Sequence, residues 1–391
     1  MNSIVVPGLV QEVREYGRFD VNACMNCGSC TVVCDLSNGH ASFPRRPIQL
    51  TLLGLKKPLA QSLEPWLCHD CGDCSIACPR QAEPRESLMT LRRYLAARYD
   101  VTGLSSKILR SKAWHIGVLS FVGFLVLLLA FFYHTEYVEL ALPDLISTPM
   151  GLEHMFPMIA VFTHVVYLIP VFLLIVATYR MHRFTMRTIT TVRIPLRYYV
   201  VEAKTMAVHV LSQKNMRSCS SETRAHRWVN HVVLASGFAV MSVILFFFLE
   251  WFQTDAIVPV YHPQRWLGYF VTAVMVYVPA RILIDRLKGS KPLLTFSAFS
   301  DLTLPLLVLL TAVSGIAVHI LRYMELSMAC HLTYAIHLAI AVPLLVIELP
   351  FGKLSHVVYR PFAIYLQAVK ERALADEKPV DKPKPMEAVA A

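Results

Sequence analysis

Cysteine spacing constrains this chain more than any other feature. Cys24, Cys27, Cys30 and Cys34 follow a C-x2-C-x2-C-x3-C pattern, and Cys68, Cys71, Cys74 and Cys78 repeat it. Pro79 follows the second run and Asp35 the first. Eight of the ten cysteines fall in these runs. A thiolate at every third residue, with a fourth beyond, is the spacing that wraps a cubane [4Fe–4S] cluster. In two-cluster proteins the fourth cysteine of each run ligates the other cluster. That rule groups Cys24, Cys27, Cys30 and Cys78 as one ligand set, and Cys68, Cys71, Cys74 and Cys34 as the other. A structural zinc site draws four ligands from two short pairs, which leaves the third and fourth cysteines of each run unexplained. A secreted disulfide framework needs a signal peptide, and the first residues carry no apolar stretch of that kind.

The remainder of the chain is of different composition. Residues 1–112 are polar and rich in Arg and Pro, whereas the chain beyond Lys112 is strongly apolar. A membrane-crossing helix needs about 20 predominantly apolar residues. Six segments qualify, at about 114–134, 154–179, 228–251, 266–284, 302–323 and 331–350, with Pro279 and Arg281 shortening the fourth. The fold class expected is all-α. A dicluster [4Fe–4S] ferredoxin-like helical domain (1–112) leads into a six-helix transmembrane bundle (113–360), and a largely disordered tail follows (361–391).

Charge orients the bundle. The connection Glu136–Glu153 has four acidic residues and no Lys or Arg, whereas Arg180–Arg227 carries ten Lys or Arg and Arg281–Lys291 four. The positive-inside rule puts the N-terminal domain, the basic loop 180–227 and the tail on the cytoplasmic side of the cell inner membrane. The formal net charge of +10 is thereby accounted for by topology, and no nucleic-acid partner is needed. The basic loop is expected to form an amphipathic helix on that face. Reduced cytosol also suits thiolates that hold iron.

A soluble cluster domain fused to a membrane bundle implies that electrons enter or leave the bilayer. Histidines in hydrocarbon are costly and mark function, and a b-type haem takes two axial imidazoles at matched depth. His231, one turn into the third segment, pairs with His356 beyond the sixth, provided that this helix continues past Pro350. His337 lies about 28 Å further out on such a helix, suiting a second haem. His164, His154 and His319 all compete as its partner, and His164, within the second segment, is preferred. Glu348 is the most unusual acid of the bundle; Cys219 and Cys330 read as ordinary thiols.

The stretch CMNCGSCTVVC to WLCHDCGDCSIACPRQAEPRESLMTLRRY resembles the small iron–sulfur subunit of heterodisulfide reductases. The ending IHLAIAVPLLVIELPFGKLSHVVYRP resembles the last helix of the cytochrome b subunits of nitrate reductase and membrane-bound heterodisulfide reductase, whose two histidines match His337 and His356. Both modules on one chain are similar to the membrane subunit of quinone-interacting membrane-bound oxidoreductase complexes. Ten residues past His231, where the nitrate reductase pattern has a second histidine, this chain has Met241.

The resemblance implies two [4Fe–4S] clusters, one or two b haems, and quinol or quinone as substrate. It also implies soluble heterodisulfide-reductase-like flavin and iron–sulfur partner subunits, and adenylylsulfate reductase as the eventual acceptor. The sequence has no G-x-G-x-x-G or P-loop, and no duplicated Cys-Cys-Gly signature. It therefore reads as wiring, a subunit of a quinol oxidoreductase. A heterodisulfide-reductase-type module with other partners is the alternative reading, and a haem-free anchor for the clusters is another.

Overall fold

The computed structural model describes residues 5–37, 42–136, 152–187, 194–217, 224–252, 256–289 and 296–376. Every regular element among them is helical. The N-terminal part is built from α1 (Leu9–Arg14), α2 (Ser29–Val32), α3 (Arg45–Leu52), α4 (Lys56–Ala60), α5 (Glu64–Leu67), α6 (Asp73–Ile76), α7 (Pro84–Tyr99) and α8 (Leu104–Arg110). Helix α7 organises this part. Pro84 starts it at a position where no backbone donor is needed. Leu88, Leu91, Leu95 and Tyr99 are fully buried along one face, at helical spacing.

Then come α9 (Lys112–Glu136), α10 (Leu152–Met186), α11 (Leu196–Ser212), α12 (Arg224–Phe247), α13 (Leu249–Phe252), α14 (Pro263–Lys288), α15 (Phe299–Tyr323), α16 (Ser327–Pro343) and α17 (His356–Ala375). Among the described residues, six helices are long and apolar enough to cross a membrane. Large apolar side chains such as Phe124, Phe172, Phe247 and Trp266 point outward from them, as a lipid-facing surface requires. Pro279 does not shorten α14, which runs through it to Lys288. One lost backbone donor removes one rung, and the flanking rungs carry the helix on. In the basic connection, α11 is helical, with Tyr198, Glu202 and His209 buried.

Two expectations about the C-terminal region change. The last spanning helix does not continue to His356. Past Pro343 the chain forms a π-helical turn (Leu344–Glu348), bends, makes a short 3-10 turn (Lys353–Ser355), and starts α17 at His356. Pro343 deprives the Ala339 carbonyl of its usual donor, and Gly123 on α9 comes up against that oxygen. The 28 Å separation expected along one straight helix therefore does not apply. Residues 361–375, assigned to a disordered tail, are also helical, with Ala363, Leu366, Val369 and Ala373 buried. The remainder of that tail, 377–391, lies outside the described residues.

The N-terminal part and the bundle share a core. Helix α10 has 35 residues and so runs about 52 Å, well beyond a hydrocarbon thickness of about 30 Å. Its far end brings Ala177 and Met181 into the cluster formed by Leu88, Leu91 and Tyr99 of α7 and by Tyr359, Ala363 and Leu366 of α17.

Candidate metal centres

The two cysteine runs adopt one backbone plan. Asn26 and Asp70, each just before the second cysteine of its run, take positive φ, as do Gly28 and Gly72 just after it. Gly28 and Gly72 then cap the short helices α2 and α6. Left-handed residues at these points turn each loop back on itself, which is what three thiols so close in sequence need in order to converge.

The thiols ring two clefts. Cys24, Cys27, Cys30 and Cys78 line one, open to solvent and of about 580 Å³, together with Arg45, Pro79 and Arg80. Cys34, Cys68, Cys71 and Cys74 line another of about 440 Å³, with His69, Asp73 and Arg85. The last cysteine of each run thus sits with the first three of the other. The neighbours that act on Cys30 and on Cys34 follow this grouping, while Cys74 feels Cys30 of the other cleft as well as its own set. Burial raises the Cys30 thiol pKa, and Cys24 and Cys78 add to the rise. Burial pushes Cys34 up to about 12, with Cys68 and Cys71 adding to it. Thiols crowded round a void hold their protons until a metal displaces them. Among the described residues no three His, Cys, Asp or Glu side chains converge on a single-ion site. Four thiols around a cleft fit a cubane cluster instead.

The surroundings of the two clefts differ. Cys27 is exposed, and Met25 and Val32 beside it point outward, whereas Cys68 and Cys74 are buried. The second loop is clamped to the bundle. Arg227 of α12 donates to the Asp70 carbonyl at 2.8 Å, and Arg85 binds the Asp70 carboxylate at 2.5 Å. Burial alone would raise the Asp70 pKa; Arg85, Arg227 and Arg92 outweigh it and hold the carboxyl below its ordinary range. Trp66, two residues before Cys68, stacks against Tyr359, three residues after His356, with ring centroids 5.2 Å apart. Tyr99 closes the group at 5.5 Å from Tyr359.

His231 and His356 face each other in the adjoining part of the bundle. Their ring centroids are 6.3 Å apart, at 67°. Nδ1 of His231 is bonded to Gln213 Oε1 at 2.5 Å, and Nδ1 of His356 to the Lys353 carbonyl at 2.6 Å. Both rings keep Nε2 for a metal. Two imidazoles bound on opposite sides of one iron, with metal–nitrogen bonds of about 2.0–2.1 Å, place their centroids about 6 Å apart. Their outer hydrogen bonds are the kind that fix tautomer and ring orientation in metal-bound histidines. The pair fits a bis-histidine haem.

The outer position is less complete. His164 bonds through Nδ1 to the Ala160 carbonyl at 2.6 Å, and His337 through Nδ1 to Ser314 Oγ at 3.0 Å. Ile159 clusters with Cys330 and Tyr334, and Phe162 and Val166 cluster with Leu338 and Val342. This packing sets His164 and His337 at one level. His319 uses Nε2 on the Tyr269 hydroxyl at 3.0 Å. The His154 side chain lies outside the described residues, as does Cys219.

Sequence reasoning passed over three residues in this region. His209 on α11 is buried; burial, helped by Arg360, His69 and His231, pushes it down to about 4. It lies outside the spans, where depth sorting does not look. His115 pairs with Glu348 across 233 residues, a separation that leaves no signal in local spacing. Arg360, one turn past His356, acts on His69, His209 and His231 alike.

The architecture is that of a two-cluster iron–sulfur domain carried on six apolar helices. Residues 20–82 match the 4Fe-4S dicluster domain family. The N-terminal region is 33% identical over 100 residues to a protein of Archaeoglobus profundus described as like the C-type subunit of heterodisulfide reductase, covering 25% of this chain and 53% of that protein. It is 33% identical over 97 residues to a C-type iron–sulfur subunit of the CoB--CoM heterodisulfide reductase of Methanocaldococcus jannaschii, covering 23% and 52%. It is 35% identical over 87 residues to the C-type subunit of the ferredoxin:CoB-CoM heterodisulfide reductase of Methanosarcina mazei, covering 22% and 53%. The chain thus spans about half the length of the curated relatives it matches. No solved structure matches it. The N-terminal domain is therefore related to the C-type iron–sulfur subunit of heterodisulfide reductases, and the six apolar helices are consistent with a membrane anchor.

Proposed function

We propose that this chain is the membrane subunit of a quinone-interacting oxidoreductase, carrying electrons between membrane quinol and soluble flavin and iron–sulfur subunits. In this reading Cys24, Cys27, Cys30 and Cys78 hold one [4Fe–4S] cluster, and Cys68, Cys71, Cys74 and Cys34 the other. His231 and His356 hold an inner b haem, and His164 and His337 an outer one. These groups supply one-electron chemistry when bound.

The observation that carries the reading is the junction. The buried cysteine site rests on the helix that begins with His356, through Trp66 and Tyr359. The other site, beside it on the same turn of α7, leaves Cys27 exposed, open to a soluble partner. The chain's own residues fix this order. Arg227 and Arg85 anchor the Asp70 loop, Gln213 and the Lys353 carbonyl orient the two imidazoles, and Trp66, Tyr99 and Tyr359 pack together as a buried aromatic group. Arg360 and Arg227 give that region the positive charge that haem carboxylates require.

Domain limits follow from the same reading: 1–112 as the cluster domain, 113–360 as the membrane domain, and a C-terminal segment from 361, with both termini cytoplasmic. The partner reading extends to heterodisulfide-reductase-like subunits and, beyond them, to adenylylsulfate reductase, with the reverse direction available to a sulfur-oxidising cell. The names of the relatives favour a second reading, a heterodisulfide-reductase-type module with the same wiring. Co-purification separates the two, by whether adenylylsulfate reductase or a heterodisulfide-reducing protein accompanies the chain. The function itself is tested by a reduced-minus-oxidised spectrum after quinol addition. A b-type α-band and a cubane EPR signal are expected; absence of the band leaves only a haem-free anchor.

A further inference from the structure

We propose that the buried His115–Glu348 pair is a redox-linked proton site, taking up one proton when the position between His231 and His356 gains one electron and releasing it on oxidation. This rests on the haem reading above.

Both side chains are shut away from solvent, His115 at 1% exposure and Glu348 at 0%, in the half of the bundle that meets the cluster domain. Ionisable residues at such sites are retained at a cost and mark function. The surrounding backbone is shaped around this carboxylate. Glu348 closes the π-helical turn, an irregularity that recurs at functional sites. Gly352 faces it so closely that a Cβ there would collide with Oε2.

A short link joins the pair to the haem position. The Lys353 N–H donates to Glu348 Oε2 at 3.2 Å. The carbonyl of the same residue accepts from His356 Nδ1 at 2.6 Å. One residue therefore stands between the buried carboxylate and the imidazole of the inner pair. On the other side, His115 Nε2 meets Glu348 Oε1 at 2.5 Å, while His115 Nδ1 is buried and has no hydrogen-bond partner among the described residues. With Nε2–H donating to Glu348, Nδ1 carries a bare lone pair. That is where an arriving proton would go, leaving an imidazolium opposite a carboxylate.

The balance is one electron into the haem position and one proton onto His115. In a low-dielectric interior the added positive charge offsets the added negative one. The neighbouring charges are already committed to one another. Lys353 Nζ binds Asp301, Arg286 lies 3.7 Å from Asp301, and Arg93 of α7 adds to the field on Asp301. Phe299 packs edge-on against His115, with ring centroids 5.4 Å apart.

The test is a redox titration of the full chain in lipid nanodiscs between pH 6 and 8, with haem counted first by pyridine haemochrome. Wild type is expected to show a tenfold change in the reduction equilibrium per pH unit, about 59 mV. Glu348→Gln is expected to flatten that slope while retaining haem, and His115→Asn to do the same. Should Glu348→Gln fail to hold haem, the His115→Asn titration decides. A pH-independent wild-type potential, or variants that keep the wild-type slope, would overturn the proposal with the haem reading intact. Absence of haem from the wild type would instead remove the reading beneath it.

Discussion

The two cysteine sites share a backbone and differ in everything around it. Asn26 and Gly28 in the first loop, and Asp70 and Gly72 in the second, take the same left-handed turns. Yet Asn26 is held by a neutral amide, Gln49, at 2.8 Å, while Asp70 is bound between Arg85 and Arg227. The first loop leaves Cys27 exposed; the second buries Cys68 and Cys74, with Cys68 in the core shared with the bundle. Local spacing makes a cluster-type loop. Tertiary packing decides which loop is buried in the core shared with the helical bundle and which stays exposed.

The comparison breaks most visibly at its ligands. Cys34→Ala is expected to remove the site shared with the second run, and Cys78→Ala the site shared with the first. Iron analysis with EPR should fall from about eight irons per chain to about four in each case. Loss of the Cys24, Cys27 and Cys30 cluster from Cys34→Ala, and of the Cys68, Cys71 and Cys74 cluster from Cys78→Ala, would disprove the crossed arrangement.

Next in size is the aromatic junction. Trp66→Ala removes a buried indole, and such truncations cost about 3–5 kcal/mol. Thermal melting of the detergent-solubilised protein should show it, whereas Met25→Ala at the exposed loop should leave the melt nearly unchanged. Equal effects would mean that the two sites are equally anchored.

Acid should loosen the same junction. His209 is held neutral by burial, down to about 4 from an ordinary 6.5. Between those values the unfolded chain binds the extra proton, so stability is full above about pH 6.5 and falls as pH drops toward 4. His209→Asn should reduce the difference between melts at pH 7.5 and pH 5; an unchanged difference would place the acid sensitivity elsewhere. Smallest is Arg46→Ala. Its 2.8 Å pair with Glu64 ties α3 to α5, but the arginine side chain is half exposed, so about 0–1 kcal/mol is expected. A larger loss in the same melt would show that this tie helps hold the two sites together.

What could be read from the chain follows from the range of each signal. The cysteine runs and the six apolar helices were legible because they rest on local spacing and composition. The crossed ligand sets came from a rule about such runs, and the clefts group the thiols the same way. The bend after Pro343 was not legible, because Pro350 alone does not say that a π turn, Gly352 and a new helix will intervene. His356 was singled out as the partner of His231, and the two rings do face each other, though on a helix that starts there rather than one that continues. His115 with Glu348, and His209 with Arg360, join through tertiary packing and carry no periodic mark.

The central claim is that the site of Cys34, Cys68, Cys71 and Cys74 lies nearer the His231–His356 position than the other site does. Pulsed EPR relaxation of the haem signal, compared in Cys78→Ala and Cys34→Ala proteins with the remaining cluster reduced, tests this directly. Fast relaxation retained in Cys78→Ala and lost in Cys34→Ala is the predicted result. The reverse pattern, with fast relaxation surviving only in Cys34→Ala, would contradict it.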